Sequence, residues 1–94
     1  MFSQQARWDR KMPGEGGGPG WERAEVLARF SRTKILPMKF LIGTAMHRVS
    51  AVHYAWSERK GKAMVYFFSV SDGTDTYRLS FDTETMSWLV SPLQ

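Results

Sequence analysis

Two histidines, His47 and His53, are the only imidazoles in the chain. A side chain of this type can act as a general base or hold a metal ion near neutral pH. In one continuous strand, residues six apart leave the same face roughly 20 Å from each other by strand rise, too far to share an ion. Each histidine therefore reads as a surface or half-buried residue. Asp72 and Asp75 flank Gly73, where turn chemistry accounts for both carboxylates. Asp82 and Glu84 fall in a second turn with no acid partner in view. The chain contains no cysteine, which removes thiolate nucleophiles, thiolate metal sites and disulfides. It has no Gly-x-Ser-x-Gly elbow. Its glycine run at 13–20 lacks the Lys-Ser/Thr pair and the flanking strand and helix of a phosphate loop. These absences predict a non-enzymatic protein with no cofactor, no metal and no small-molecule ligand.

One constellation carries functional content, and it is basic and aromatic. Alternation along 47–57 puts Arg48, Ser50, Val52, Tyr54 and Trp56 on one face and His47, Val49, Ala51, His53 and Ala55 on the other. Arg59, Lys60 and Lys62 follow in the adjoining turn. Aromatic rings beside cations can stack bases and hold phosphates, so Arg48, Tyr54, Trp56, Arg59, Lys60 and Lys62 form a candidate nucleic-acid-binding set. The competing reading buries Tyr54 and Trp56 in the core and leaves the charges as a solvated tip. Charge distribution bears on the choice. Residues 1–62 hold twelve Lys/Arg against five Asp/Glu, whereas residues 63–94 hold Arg78 against four carboxylates. A polyanion would meet the first part and avoid the second.

These residues must be positioned by a small scaffold. A chain of 94 residues supports a single domain with a thin core. Four Trp, three Tyr and six Phe fill such a core with few side chains, at about 150–250 Å² each. Small secreted domains usually need disulfides or a metal. No apolar run approaches the roughly 18 residues of a membrane span, and MFSQQARWDRKM has no secretory apolar stretch. The expected setting is cytoplasmic, with no membrane contact.

Residues 13–20, PGEGGGPG, hold five Gly and two Pro, so residues 1–20 are expected to be a flexible arm ahead of one β domain at 21–94. Trp8 in that arm either folds back or meets a partner. Residues 21–36 fit two periods. Trp21, Ala24, Leu27 and Ser31 fall at helical spacing, while Val26, Ala28 and Phe30 alternate as in a strand. A strand near 25–32 is preferred, because the sheet downstream would otherwise keep an uncovered face; a short helix capping that sheet is the alternative. From Met38 the period is two. MKFLI stops at Gly43, His47–Ser57 forms a longer strand, and 58–62 is a polar turn. Ala63–Ser71 is apolar on both faces, and Asp72-Gly73 marks a hairpin. Thr76–Asp82 and then Met86–Val90 alternate, with Pro92 ending the pairing. The expectation is an all-β fold: a five-stranded antiparallel meander, curled or closed like an SH3 barrel, with an α+β sheet as the alternative.

Several stretches together resemble one family. Pro37-Met38-Lys39-Phe40, His47-Arg48-Val49 with Val52 and Trp56, and Tyr66 to Val70 leading into Asp72-Gly73 carry the likeness. Tyr77 to Asp82 and Ser87-Trp88-Leu89-Val90 complete it. The pattern is similar to a small bacterial β-domain that occurs alone or at the C-terminal end of Y-family DNA-polymerase relatives. It covers about residues 25–91 and rests on structural positions, so it transfers no site residues. The sequence departs from that pattern in two places: Ile42 or Gly43 stands where the family carries an aromatic, and the Gly-rich arm is extra. The resemblance implies an accessory or interaction module near DNA repair. Two functions are therefore expected in order: a protein-binding or self-associating module, then a nucleic-acid-binding accessory domain. A small enzyme comes last.

Overall fold

A computed structural model describes residues 20–93; the expected arm at 1–20, with Trp8, lies outside them except for Gly20. The chain folds into seven strands: β1 Glu22–Phe30, β2 Ile35–Ile42, β3 Ala45–Arg48, β4 Ala51–Lys60, β5 Ala63–Ser71, β6 Thr76–Asp82 and β7 Ser87–Leu93. They form one antiparallel sheet in the order β3-β2-β1-β7-β6-β5-β4. The all-β expectation holds, with seven strands rather than five. Among the described residues no helix is long and apolar enough to cross a membrane.

The ambiguous segment at 21–32 is strand β1. Its two-residue period wins because β7 needs a neighbour: Glu22, Arg23 and Ala24 pair with Val90, Leu89 and Trp88. Ala24, Val26 and Ala28 then pack against the buried cluster. Helix-favouring side chains give way here to tertiary pairing. Strand β2 starts earlier than the expected Met38 and runs through Pro37. A register shift at Leu27/Ala28 pairs Leu27 with Lys39 and Ala28 with Pro37, which leaves Met38 as the extra residue of a bulge. A bulge tolerates the missing proline N–H. Pro92 likewise fails to end β7, since Tyr77 still pairs with it; β1 has stopped beside Val90 by that point, so no neighbour there lacks a donor.

Strand β5 lies between β4 and β6, one place in from the edge of the sheet, and is apolar on both faces. On one face Phe68 and Val70 join Phe40, Tyr77, Leu79, Phe81, Trp88 and Val90 in a single buried cluster. Curling of the sheet around this inner face draws its two ends together. The largest departure from expectation occurs there. Residues 47–57 are not one strand: β3 pairs with β2, whereas β4 pairs with β5 at the far end of the sheet. Val49 and Ser50 carry the chain across the gap. The Val49 amide donates to the Met38 carbonyl at 2.9 Å and the Ser50 amide to the Ser71 carbonyl at 2.8 Å. His53 is then the extra residue of a second bulge, between Val52 and Tyr54. The bulge reverses the alternation, so Val52 packs inward against the cluster while Tyr54 and Trp56 face outward.

Candidate binding surface along strand β4

Strand β4 has ten residues, of which nine are exposed and only Val52 is partly covered. It extends to Lys60, further than expected, and the turn shrinks to Gly61-Lys62. Gly61 has φ +63° and Lys62 does not share a positive φ, which makes a type II′ turn. In such a hairpin the closing pair, Lys60 and Ala63, is hydrogen-bonded. Pairs then alternate along the ladder, so the amides and carbonyls of Ala55, Ser57 and Arg59 point away from β5. Because β4 ends the sheet, those groups face the open seam.

The outward side chains of β4 make an aromatic and cationic row. The Trp56 ring stacks on Phe67 with centroids 5.3 Å apart and planes at 12°. The Arg78 guanidinium carbon lies 5.8 Å from the Trp56 centroid, and Lys60 Nζ lies 5.8 Å from the Phe67 centroid. Such placements engage the negative ring faces. Tyr54 is 71% exposed and Trp56 38%, so Tyr54 keeps an accessible ring while Trp56 is partly used by its neighbours. Arg78 Nε is buried and finds no hydrogen-bond partner among the described residues.

The six residues marked out by sequence are only partly brought together. Tyr54, Trp56 and Lys60 share the outer face of β4. Arg59 pairs with Met64 on the alternate face, and Lys62 occupies the turn. Arg48 is separated from all of them: it sits on β3, opposite Lys39, at the other end of the sheet order. Its expected place beside Tyr54 and Trp56 depended on an unbroken strand. Phe67 and Arg78 were missed as parts of the row. Apolar residues on both faces of 63–71 signal a buried strand without revealing which ring lies under Trp56, and a lone cation among carboxylates gives no sign of its partner.

Beside β4 a cleft opens between its edge and the tip of the β1–β2 hairpin. It encloses about 380 Å³, with Ser31 to Ile35 on one wall, Ala55 to Ser57 on the other, and Tyr66 and Phe68 beneath. Ala55 pairs with Phe68 and Ser57 with Tyr66, so these side chains share the inner face. The rim is basic through Arg32 and Lys34, both exposed. The Ser31 amide donates to the Lys34 carbonyl at 2.9 Å, which shapes the tip that carries them.

The seam is clasped at its other end. His47 Nδ1 lies 2.9 Å from Asp72 Oδ2. The His47 ring stacks on Phe40 at 5.2 Å and 12° and tilts against Tyr77 at 5.2 Å. Asp72 Oδ1 accepts the amides of Thr74 and Asp75 at 2.9 and 2.8 Å. These two amides and His47 hold the Asp72 carboxyl down at about 2, the Asp75 amide contributing most. Burial, and secondarily the charges of Asp72 and Asp75, push the Tyr77 phenol up. Turn chemistry therefore explains one oxygen of Asp72, while the other ties the β5–β6 turn to β3. His53 is exposed at the β4 bulge and takes no part; the two histidines lie on different strands rather than on one face of a single strand. Among the described residues no three metal-ligating side chains converge.

Set beside known proteins, the chain matches no family model, no curated protein and no solved structure.

Proposed function

We propose that the chain is a non-enzymatic interaction module that takes its partner along strand β4. The observation that carries this reading is a ten-residue edge strand, exposed at nine positions, with the backbone groups of Ala55, Ser57 and Arg59 directed into the seam. Long edges of this kind are templates for another strand. The paired histidine and carboxylate support the same reading, because His47 is spent on Asp72 and wedged between two rings. With no cysteine in the chain, the fold uses no disulfide, in keeping with a reducing cytoplasm. The likeness to a polymerase-associated β-domain would place the module beside a DNA-repair protein.

The test is to select peptides that bind the full chain and map each by its backbone amide shifts. The shifts should concentrate at 53–60 and vanish in Ser57→Pro, which deletes a seam-facing amide and leaves the β5 ladder intact. Shifts centred on the exposed Leu27 and Met46 instead would refute the reading.

A second reading has one observation in its favour: Tyr54 offers an open ring on the same strand face that carries Lys60 at its far end, the kind of aromatic and basic row used by single-strand nucleic-acid platforms. Titration with single-stranded DNA and RNA should then give affinity that falls log-linearly with salt and weakens in Tyr54→Ala. Absence of binding at low salt would remove this reading.

A further inference from the structure

The clefts, apolar patches and charged clusters of the sheet differ in how far they specify an occupant. Leu27, Leu41 and Met46 make an apolar patch on the outer face of β1–β3 with nothing beside it that selects a partner. The His47–Asp72 clasp is consumed by closing the seam. The cleft beside β4 is different, because three features converge on it: unpaired backbone groups, an apolar floor and a rim of one charge.

We infer that the cleft between β4 and the β1–β2 tip receives an extended acidic peptide of a partner protein, which adds to the sheet as a strand next to β4. This deepens the reading above and rests on it. The backbone groups of Ala55, Ser57 and Arg59 supply the ladder. Alternate side chains of the incoming strand enter the space of about 380 Å³ and rest on Ile35, Tyr66 and Phe68. That volume is the size of a small ligand site and takes a few apolar side chains, which fixes register by the two-residue period. The remaining side chains of the strand meet Lys60 on the outer face and Lys62 in the turn, while Arg32 and Lys34 on one wall and Arg59 on the inner face complete the basic rim. Glu58 is the one carboxylate among residues 53–62. The rim therefore selects carboxylates, and the class of ligand is a segment in which apolar residues alternate with Asp or Glu.

The same charges argue against the other occupants. A second copy pairing antiparallel through β4 about Ser57 would set Arg59 and Lys60 opposite Ala55 and Tyr54 and so would bring no carboxylate to the basic rim, and edge lysines are a common guard against such pairing. Single-stranded nucleic acid would match the charge. It would leave the ladder groups unused, however, and would find Trp56 already stacked on Phe67 and approached by Arg78.

The test uses three eight-residue capped peptides, with Val alternating with Glu, Ser or Lys, titrated into the full chain at low and moderate salt. Binding is followed by amide shifts and calorimetry. The Glu peptide should bind at 53–60 and 31–35, exceed the Ser peptide by roughly tenfold at low salt, and lose most of that margin at moderate salt. The Lys peptide should not bind. Arg32→Glu/Lys34→Glu, two exposed changes on the hairpin tip, should erase the preference for the Glu peptide over the Ser and Lys peptides, with thermal unfolding unchanged. Equal binding of all three peptides at β4 overturns the acidic partner and leaves the edge reading standing. Binding only away from β4 overturns both. An oligothymidylate that displaces the Glu peptide and shifts the same amides, or a concentration-dependent dimer blocked by Ser57→Pro, assigns the cleft to another occupant and overturns the inference.

Discussion

Leu79 lies at the centre of the sheet, fully buried, with Phe68 opposite it on β5 and Val90 on β7. Leu79→Ala deletes three carbon groups, and at about 0.8 kcal/mol per buried methylene the transfer loss alone is about 2.4 kcal/mol. The neighbours are held by ladders on both sides, so the void cannot close by a small shift. A residual cavity adds about 24 cal/mol per Å³; an unfilled space of about 40 Å³ contributes about 1 kcal/mol more, for a loss of about 3.4 kcal/mol. The control is Leu27→Ala. Leu27 is 57% exposed on the outer face of β1, and its truncation should cost under about 0.5 kcal/mol. Urea unfolding of wild type and both variants, followed by tryptophan fluorescence with m held equal, measures the two costs. A ratio near one would refute the assignment of inner and outer faces, and with it the curl that builds the seam.

Asp72 has a carboxyl held down at about 2 in the fold, against an ordinary value near 3.9 when unfolded. A depressed folded pKa stabilises above the unfolded value, and that contribution disappears as pH falls from about 4 to about 2. The stability gap between wild type and Asp72→Asn in urea melts should therefore be constant above pH 5 and narrow below pH 4; a gap unchanged to pH 2 would contradict the clasp. Met86 adopts φ +58° while exposed, so Met86→Gly should stabilise by about 0.5–1 kcal/mol in the same melts through relief of left-handed strain. Gly61→Ala should do the reverse, losing about 1 kcal/mol, because its φ is +63° and a Cβ there meets nothing within 4 Å, which leaves the backbone as the sole cause. Ser57→Pro should abolish peptide capture yet lower the melting temperature by only a few degrees, since its amide faces the seam rather than β5.

Local pattern was enough to read the hairpins from Ala63 to Val90. Alternation and the Asp72-Gly73 turn act between neighbours in sequence, and sequence neighbours pair there. The candidate site was legible in part. Tyr54, Trp56 and Lys60 do share a face, because within 54–60 the two-residue period runs unbroken. Arg48 was misplaced because alternation carries straight through Val49-Ser50, where the chain leaves one edge of the sheet for the other.

Composition and period thus determined the strand class, the apolar strand β5 and the basic character of the first part of the chain, since each depends on side chains within a few positions of one another. Three matters rested on contacts between distant segments. Residues 22–30 became a strand because β7 required a partner. The run from 45 to 60 divided because Met38 and Ser71 held Val49 and Ser50 on opposite sides of a gap. The seam beside β4, with its cleft and basic rim, arose from curling of the whole sheet around Leu79 and Val90. No local period encodes that curl, because it is set by packing across six strands at once.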